Sequence, residues 1–317
     1  MPADQPLGRS DLIVPRLGVG AMTWGEAHGL ARLHPAKIAY GGAEGRGEER
    51  GAWEASIAAG VTLFDTAAMY AGGASERRLG ELSSDTALIA TKFPATPWAT
   101  ADDMPIHLAD SLARLQRDHV DVYQHHFPSR RVDILRLMNL MADAVAAGQV
   151  RAVGVSNYSA QQMRKAHAAL ALRGIPLASN QVEYSLLHRR PETNGVLDAC
   201  RDLGVTLIAY QPLASGALTG KYTPTNRPRG LRRFVKPFVG RGLARLEPIT
   251  ALLREIGERY DRTPAQVALR WLIENDVVLP IPGAKNRKQA AANAEALTFH
   301  LDQDESEALD AATRAWR

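Results

Sequence analysis

DVYQHHFPS, residues 121–129, is a short apolar run that ends in two histidines. A run this short with bulky residues on both parities reads as a strand buried on both faces, as in parallel sheets. Seven other runs share its character: LGVGAM (17–22), TLFDTA (62–67), ALIATKF (87–93), RAVGVSN (151–157), ASNQVEY (178–184), TLIAYQPL (206–213) and VVLPIPGA (277–284). Helical patterns lie near 48–59, 75–82, 103–115, 132–147, 160–172, 192–203, 248–260 and 287–296. Strict alternation of eight strands with eight helices predicts an α/β fold, a closed (β/α)8 TIM barrel forming one domain over 1–317. Residues 1–14 are expected to form a hairpin over the barrel floor, and residues 302–317 an extra C-terminal helix.

Local signals fix several boundaries. Ser159 stands where it can cap the helix that follows RAVGVSN. Pro264 suits the first turn of a helix, so the stretch 248–274 reads as two helices broken near Asp261. Two connections are long, 23–47 and 213–247, and long loops in a compact barrel usually carry function.

Composition narrows the function classes. Hydrophobic residues make up 45% and charged residues 23% of the 317, with a net charge of +4. That charge is too small to argue for nucleic acid, and no apolar run is long enough for a membrane span. The charge is unevenly placed. Between Lys221 and Leu246 two lysines and six arginines stand without an acid, which makes that segment either a solvated loop or one facing an anionic ligand. The one cysteine, Cys200, cannot form an internal disulfide and reads as a small core residue. No secretory signal is visible at the N-terminus, so a cytoplasmic protein is expected.

The strand ends carry the chemistry. Asp65, Lys92, His125–His126, Ser156–Asn157, Asn180–Gln181 and Tyr210–Gln211 each fall where a strand leaves the barrel, and TIM barrels build active sites at that face. Asp65 and Lys92 come from adjacent strands and can pair. The resulting ammonium is expected to lower the pKa of Tyr70, five residues beyond Asp65, and make it a general acid near neutrality. A strand-four histidine could orient a carbonyl oxygen beside it. Protonating an alkoxide in this way needs a hydride donor that amino acids do not supply. The G-x-G-x-x-G fingerprint is absent, so a nicotinamide would be held otherwise. Asn157 and Gln181 suit a carboxamide and Tyr210 can stack on a flat ring, while Lys285 and Arg287 suit a phosphate beside a helix N-terminus. Trp24, Trp98 and Phe127 follow three strand ends and are candidates for the substrate wall. His28, His34 and Tyr40 lie in the first long loop.

FDTAAMYAGGASERRLGE, ATKF, DVYQHHFP, RAVGVSNYS, NQVEYS, IAYQPL and PIPGAKN occur in the order and at the spacing of the aldo-keto reductases, and the chain resembles that family from about residue 12 to 300. The resemblance implies reduction of aldehydes and ketones with NADPH, NADH being the alternative, in a metal-free barrel. It implies a catalytic set of Asp65, Tyr70, Lys92 and His126. It implies cofactor contacts from Ser156, Asn157, Gln181, Tyr210, Pro212, Leu213 and Gly283. The adenosine-phosphate end departs from the best-known members: Gly283-Ala284 replaces Lys-Ser and Gln289 replaces an arginine. The basic role therefore moves to Lys285, with Gln289 and Asn293 beside it. The family pattern D-x-Y-x-x-H selects His126 over His125, which should point outward as a packed neutral histidine. GIPLASNQVEYSLL and GVTLIAYQPLASGALTGKY are similar to the bacterial and plant branch that includes pyridoxal reductases. The partner implied is a small carbonyl compound.

Two other classes fit parts of the pattern. A regulatory or binding protein can keep the barrel and its cofactor, as potassium-channel β subunits do. A metal-dependent barrel hydrolase would use Asp65 and the histidines, but the His-x-His that such enzymes often carry after the first strand is missing.

Overall fold

The computed structural model describes residues 4–26, 45–82, 84–94, 98–223, 225–228 and 230–317. His28, His34 and Tyr40 lie outside the described residues, as do most of the first long loop, Arg229 and the side chain of Lys236.

A two-stranded antiparallel hairpin, β1 (Gln5–Pro6) and β2 (Ile13–Val14), opens the fold. The chain then alternates: β3 (Val19–Gly20), α1 (Arg46–Ala58), β4 (Leu63–Asp65), α2 (Ala74–Leu82), β5 (Leu88–Phe93), α3 (Met104–Leu115), β6 (Val120–His125) and α4 (Ile134–Ala146). It continues through β7 (Val150–Ser156), α5 (Ala160–Ala171), β8 (Leu177–Glu183), α6 (Val196–Leu203), β9 (Thr206–Tyr210), α7 (Gly242–Tyr260), α8 (Pro264–Ile273), β10 (Val278–Pro280), α9 (Arg287–Ala294) and α10 (Gln303–Thr313). β3 to β10 form one parallel sheet in sequence order. The ends of that sheet meet: Gly18 N–H donates to Pro280 O and Gly20 N–H to Pro282 O, both at 3.0 Å, and Gly20 bridges Gly283. The eight expected strands and eight expected helices are therefore present, with the N-terminal hairpin and the C-terminal helix α10 besides, and the sheet closes as a barrel.

Two apolar layers follow from strand parity. Inward residues Leu63, Ala90, Val122, Ile208 and Leu279 pack with Leu7, Leu12 and Val14 of the hairpin, which thereby plugs one end of the barrel. Outward residues Phe64, Ile89, Tyr123, Val153, Val155 and Leu207 join the helices, among them Cys200, fully buried, its thiol pushed up to about 12 by burial. A satellite core gathers α7, α8 and α10 around Leu246, Leu253, Val267 and Leu309.

The expected caps form. Ser159 and Gln162 make a capping box on α5, and Thr263 and Gln266 make another on α8 with Pro264 in its first turn. Asp261 sits at φ 53° between α7 and α8, where the break was expected. Two helix starts differ, and the first is α6, which begins at Val196 and not near 192. α7 begins at Gly242, so Pro248 lies inside it and does not start it. Proline loses one helical hydrogen bond there, but Leu243 and Leu246 are buried in the satellite core and hold the extra turns.

Candidate active site

The strand ends converge as the period of two requires. Asp65 ends β4 at 3% exposure and Lys92 lies on β5 with none. Lys92 Nζ donates to Asp65 Oδ2 at 2.5 Å and to the Thr66 carbonyl at 2.7 Å. Burial is the largest single influence on the Lys92 pKa and acts to lower it, but the charge and hydrogen bond of Asp65 together with those of Tyr70 outweigh it, the pKa is raised, and the ammonium persists. The Tyr70 ring lies 5.1 Å from Lys92 Nζ, measured to its centroid. A left-handed turn puts it there. Ala71, Gly72 and Gly73 have φ of 51°, 65° and 82°, a run that the two glycines make tolerable.

The proton affinity of Tyr70 corrects one expectation. Its pKa is raised, because burial of the phenol outweighs the opposing pull of Lys92. Lys92 alone would give the lowered value that pairing suggests; desolvation depends on depth, which spacing does not show. Tyr70 is thus a protonated donor through neutral pH.

The two histidines divide as parity demands. His126 follows β6 and stands edge-on to Tyr70, ring centroids 5.8 Å apart, with Phe127 stacked on it at 4.7 Å. Burial, then the charge of Lys92, pushes its pKa down to about 2, so it is neutral. Its Nδ1 is buried without a protein partner. His125 faces the helices instead. Its Nδ1 lies 2.7 Å from the Tyr158 hydroxyl, its ring packs against Phe93, and burial lowers its pKa to about 4.

A second group of side chains occupies the neighbouring quadrant. Asn157, at φ 60°, donates from Nδ2 to the His126 carbonyl at 3.1 Å and to Ser156 Oγ at 3.0 Å. Its Oδ1 accepts from the Tyr210 hydroxyl at 3.0 Å, which anchors the tip of that half-exposed ring. Ser156 Oγ donates to the Gln181 carbonyl at 2.8 Å, and Gln181 Nε2 to Asp65 Oδ1 at 2.8 Å. Pro212 is buried and Leu213 half-buried where β9 runs into the turn 214–219.

At the far end, Asn286 caps α9. Gln289 Oε1 accepts from Lys285 N–H at 3.0 Å and Asn293 Nδ2 donates to Gly283 O at 3.3 Å, so both side chains brace the Gly283–Lys285 turn. Arg287 pairs with Glu54 of α1.

The candidate substrate wall divides. Trp98 is 75% exposed, with the Arg131 guanidinium 5.4 Å from its ring, and Phe127 is 43% exposed. Trp24 does not join them. It is wholly buried against Phe64, and its Nε1 donates to Ala284 O at 2.6 Å, so it is a core residue and lines no open cleft. A position just past a strand end does not reveal whether a ring turns inward or outward. Gln124, inward on β6 and bonded to Asp65, had no task assigned from the sequence; its signal was a polar residue two positions before His126 on the same face. Among the described residues, no group of three or more His, Cys, Asp or Glu stands where it could hold a metal ion, and no helix is long and apolar enough to cross a membrane.

The model of the Aldo/keto reductase family matches residues 16–314. The chain belongs to that family. An uncharacterised oxidoreductase of Mycobacterium tuberculosis is 38% identical over 315 residues, covering 96% of this chain and 91% of the relative. The chloroplastic pyridoxal reductase of Arabidopsis thaliana is 36% identical over 280 residues, covering 83% and 76%. An NADP(+)-labelled aldo-keto reductase of Schizosaccharomyces pombe is 33% identical over 262 residues, covering 76% and 75%. Among solved structures, a thermostable aldo-keto reductase bound to the inhibitor epalrestat is 28% identical with a TM-score of 0.75, covering 98% of this chain and 99% of that one. The glycerol dehydrogenase of Gluconobacter oxydans, 23% identical with a TM-score of 0.78, shares the fold. Membership makes this aldo-keto reductase an NAD(P)H-dependent oxidoreductase acting on carbonyl groups.

Proposed function

We propose that this reductase uses NADPH to reduce a small aldehyde or ketone, with Tyr70 as the proton donor. The observation that supports it most is the buried line Asp65–Lys92–Tyr70, set edge-on to a neutral His126. A carbonyl oxygen lodged between Tyr70 and His126 would meet a phenolic O–H and an imidazole N–H. The unpartnered Nδ1 of His126 is the cheaper place for the lone pair, which leaves Nε2 to carry the hydrogen toward substrate. As negative charge develops on that oxygen, Tyr70 gives up its proton and the Lys92 ammonium stabilises the phenolate left behind. Asp65 keeps Lys92 charged and in place.

The donor set fits a nicotinamide dinucleotide. Asn157 and Gln181 offer amides for the carboxamide, Tyr210 a pinned ring for stacking, and Ser156, Pro212 and Leu213 the adjoining wall. The Gly283–Lys285 turn, braced by Gln289 and Asn293, would take the phosphates. When bound, the reduced nicotinamide supplies the hydride. Trp98 and Phe127 would form the outer wall of the substrate cleft, and the pyridoxal reductase among its relatives makes aromatic aldehydes the first class to try.

The test is loss of NADPH absorbance with a panel of aldehydes that includes pyridoxal, repeated with Tyr70→Phe. Removing a general acid should cost about a hundred- to ten-thousandfold in turnover. Unchanged turnover in Tyr70→Phe would remove Tyr70 from the role. Cofactor binding with no turnover of any carbonyl would favour a regulatory protein.

A further inference from the structure

One fully buried side chain inside the barrel has no part in the chemistry so far. Gln124 of β6 donates from Nε2 to Asp65 Oδ1 at 3.2 Å. Gln181 of β8 donates to the same oxygen at 2.8 Å, and its Nε2 also lies 3.4 Å from Gln124 Oε1. Lys92 takes the other carboxylate oxygen, Oδ2. The Asp65 carboxylate is thus held at both ends, its Oδ1 by two amides from across the barrel and its Oδ2 by the ammonium. Turning it breaks one set or the other. The backbone makes room for this arrangement. On β7, between the two amide-bearing strands, a Cβ at Gly154 would come within 2.4 Å of Ser179 Oγ and 2.9 Å of Gln124 Cγ.

We propose that Gln124 is a positioning residue: it fixes the rotation of the Asp65 carboxylate, and through it the aim of Lys92 at Tyr70. The proposal rests on the proton-donor reading of that line. The charged or titratable groups around it are Asp65 on β4, Lys92 on β5, Tyr70 in the loop after β4, and His126 beyond its own strand; β8 contributes the Gln181 amide.

Three variants test it: Q124L, Q124E and, should Q124L not fold, the longer Q124M. Turnover, the NADPH dissociation constant and the melting temperature are followed against pH beside the wild type. Q124L should lose about ten- to a hundredfold in kcat, the worth of one hydrogen bond to a charged group, with cofactor affinity held within about twofold. Q124E carries a size-matched side chain that donates to Asp65 only while protonated. Its kcat should approach the wild type at low pH and fall as pH rises, and its melting temperature should fall away from the wild type over the same interval. A residue that only fills space predicts wild-type kcat in Q124L, and in Q124E a melting temperature that falls with pH, because any buried carboxylate resists ionising, without a matching fall in kcat. Wild-type kcat in Q124L, or a kcat profile of Q124E parallel to the wild type, would overturn the proposal. A wild type that turns over no carbonyl sinks the reaction reading instead, and a double-mutant cycle of Q124L with D65N, read by melting temperature without substrate, then decides whether Gln124 and Asp65 are coupled.

Discussion

His125 and His126 are adjacent and both depressed in pKa, yet they answer to different partners. His126 meets the pocket and His125 the Tyr158 hydroxyl. Replacing His126 with leucine should cut turnover by about a hundredfold or more. His125→Leu should leave turnover nearly intact and cost stability instead, about 1–3 kcal/mol for the buried Tyr158 hydroxyl left unpaired, read by denaturant titration. The pH sign follows from the folded values of about 4 and about 2. An unfolded histidine binds its proton near pH 6.5, so the unfolded chain takes up protons first as pH falls. Stability is full above about pH 7 and declines below it. Melting temperatures between pH 7 and 4 should show this decline, and His125→Leu should flatten part of it. Tyr70, raised above the ordinary phenol value, keeps its proton through the neutral range. Reduction should therefore show no inflection between about pH 6 and 9 and should fall only on the alkaline side. A histidine-like inflection in kcat near pH 6.5 would contradict both assignments.

Among the elements, the hairpin and the C-terminal helix bear most directly on the barrel's ends. Leu7 and Leu12 of the hairpin are 0% and 1% exposed and close the floor. Leu12→Ala should cost about 2–5 kcal/mol, with the NADPH dissociation constant unmoved, since the floor lies at the opposite end from the site. α10 is docked by Arg189, from the connection after β8. Arg189 pairs with Glu192 and Asp310, and donates to the Asp310 carbonyl at 2.9 Å and Thr313 Oγ1 at 3.0 Å. Arg189→Ala should raise amide exchange across 303–313 before it lowers global stability. These elements were legible from the sequence to different degrees. The strands and the capped starts of α5 and α8 follow from local pattern. The true start of α7 does not, because its first turns are held by the satellite core and not by their own sequence. Trp24 failed as a pocket residue for a related reason. What turned its ring inward is a carbonyl 260 residues away, and no window of the chain contains both.

For the whole molecule, convergence at one face was the readable feature. Strand parity and barrel topology together bring Asp65, Lys92, His126 and Gln181 to one mouth, and both can be counted off the sequence. The energies within that mouth could not be. Whether Tyr70 rises or falls, and which amide Asp65 takes, depend on depth and on pairing across the barrel. The uneven charge of the chain bears on cofactor choice. Lys285 beside α9, together with the basic segment 221–246, motivates tighter binding of NADPH than NADH. The preference should narrow in Lys285→Ala and shrink as salt rises; equal dissociation constants for the two cofactors at low salt would refute it.

The barrel's closing joint adds a matter of timing. β3 is two residues long, and its contact with the strand end near Gly283 is made by chain segments from opposite ends of the sequence. The turn just beyond that contact is the one proposed for the dinucleotide's phosphates, and the Trp24 indole holds its Ala284 carbonyl. Pairings so distant in sequence carry a large closure entropy and are slow to form. A chain still on its way to the folded state thus has no seat for the phosphates. Competence to bind marks the moment the ring is complete, and whatever then occupies the seat ties the first strand to the last.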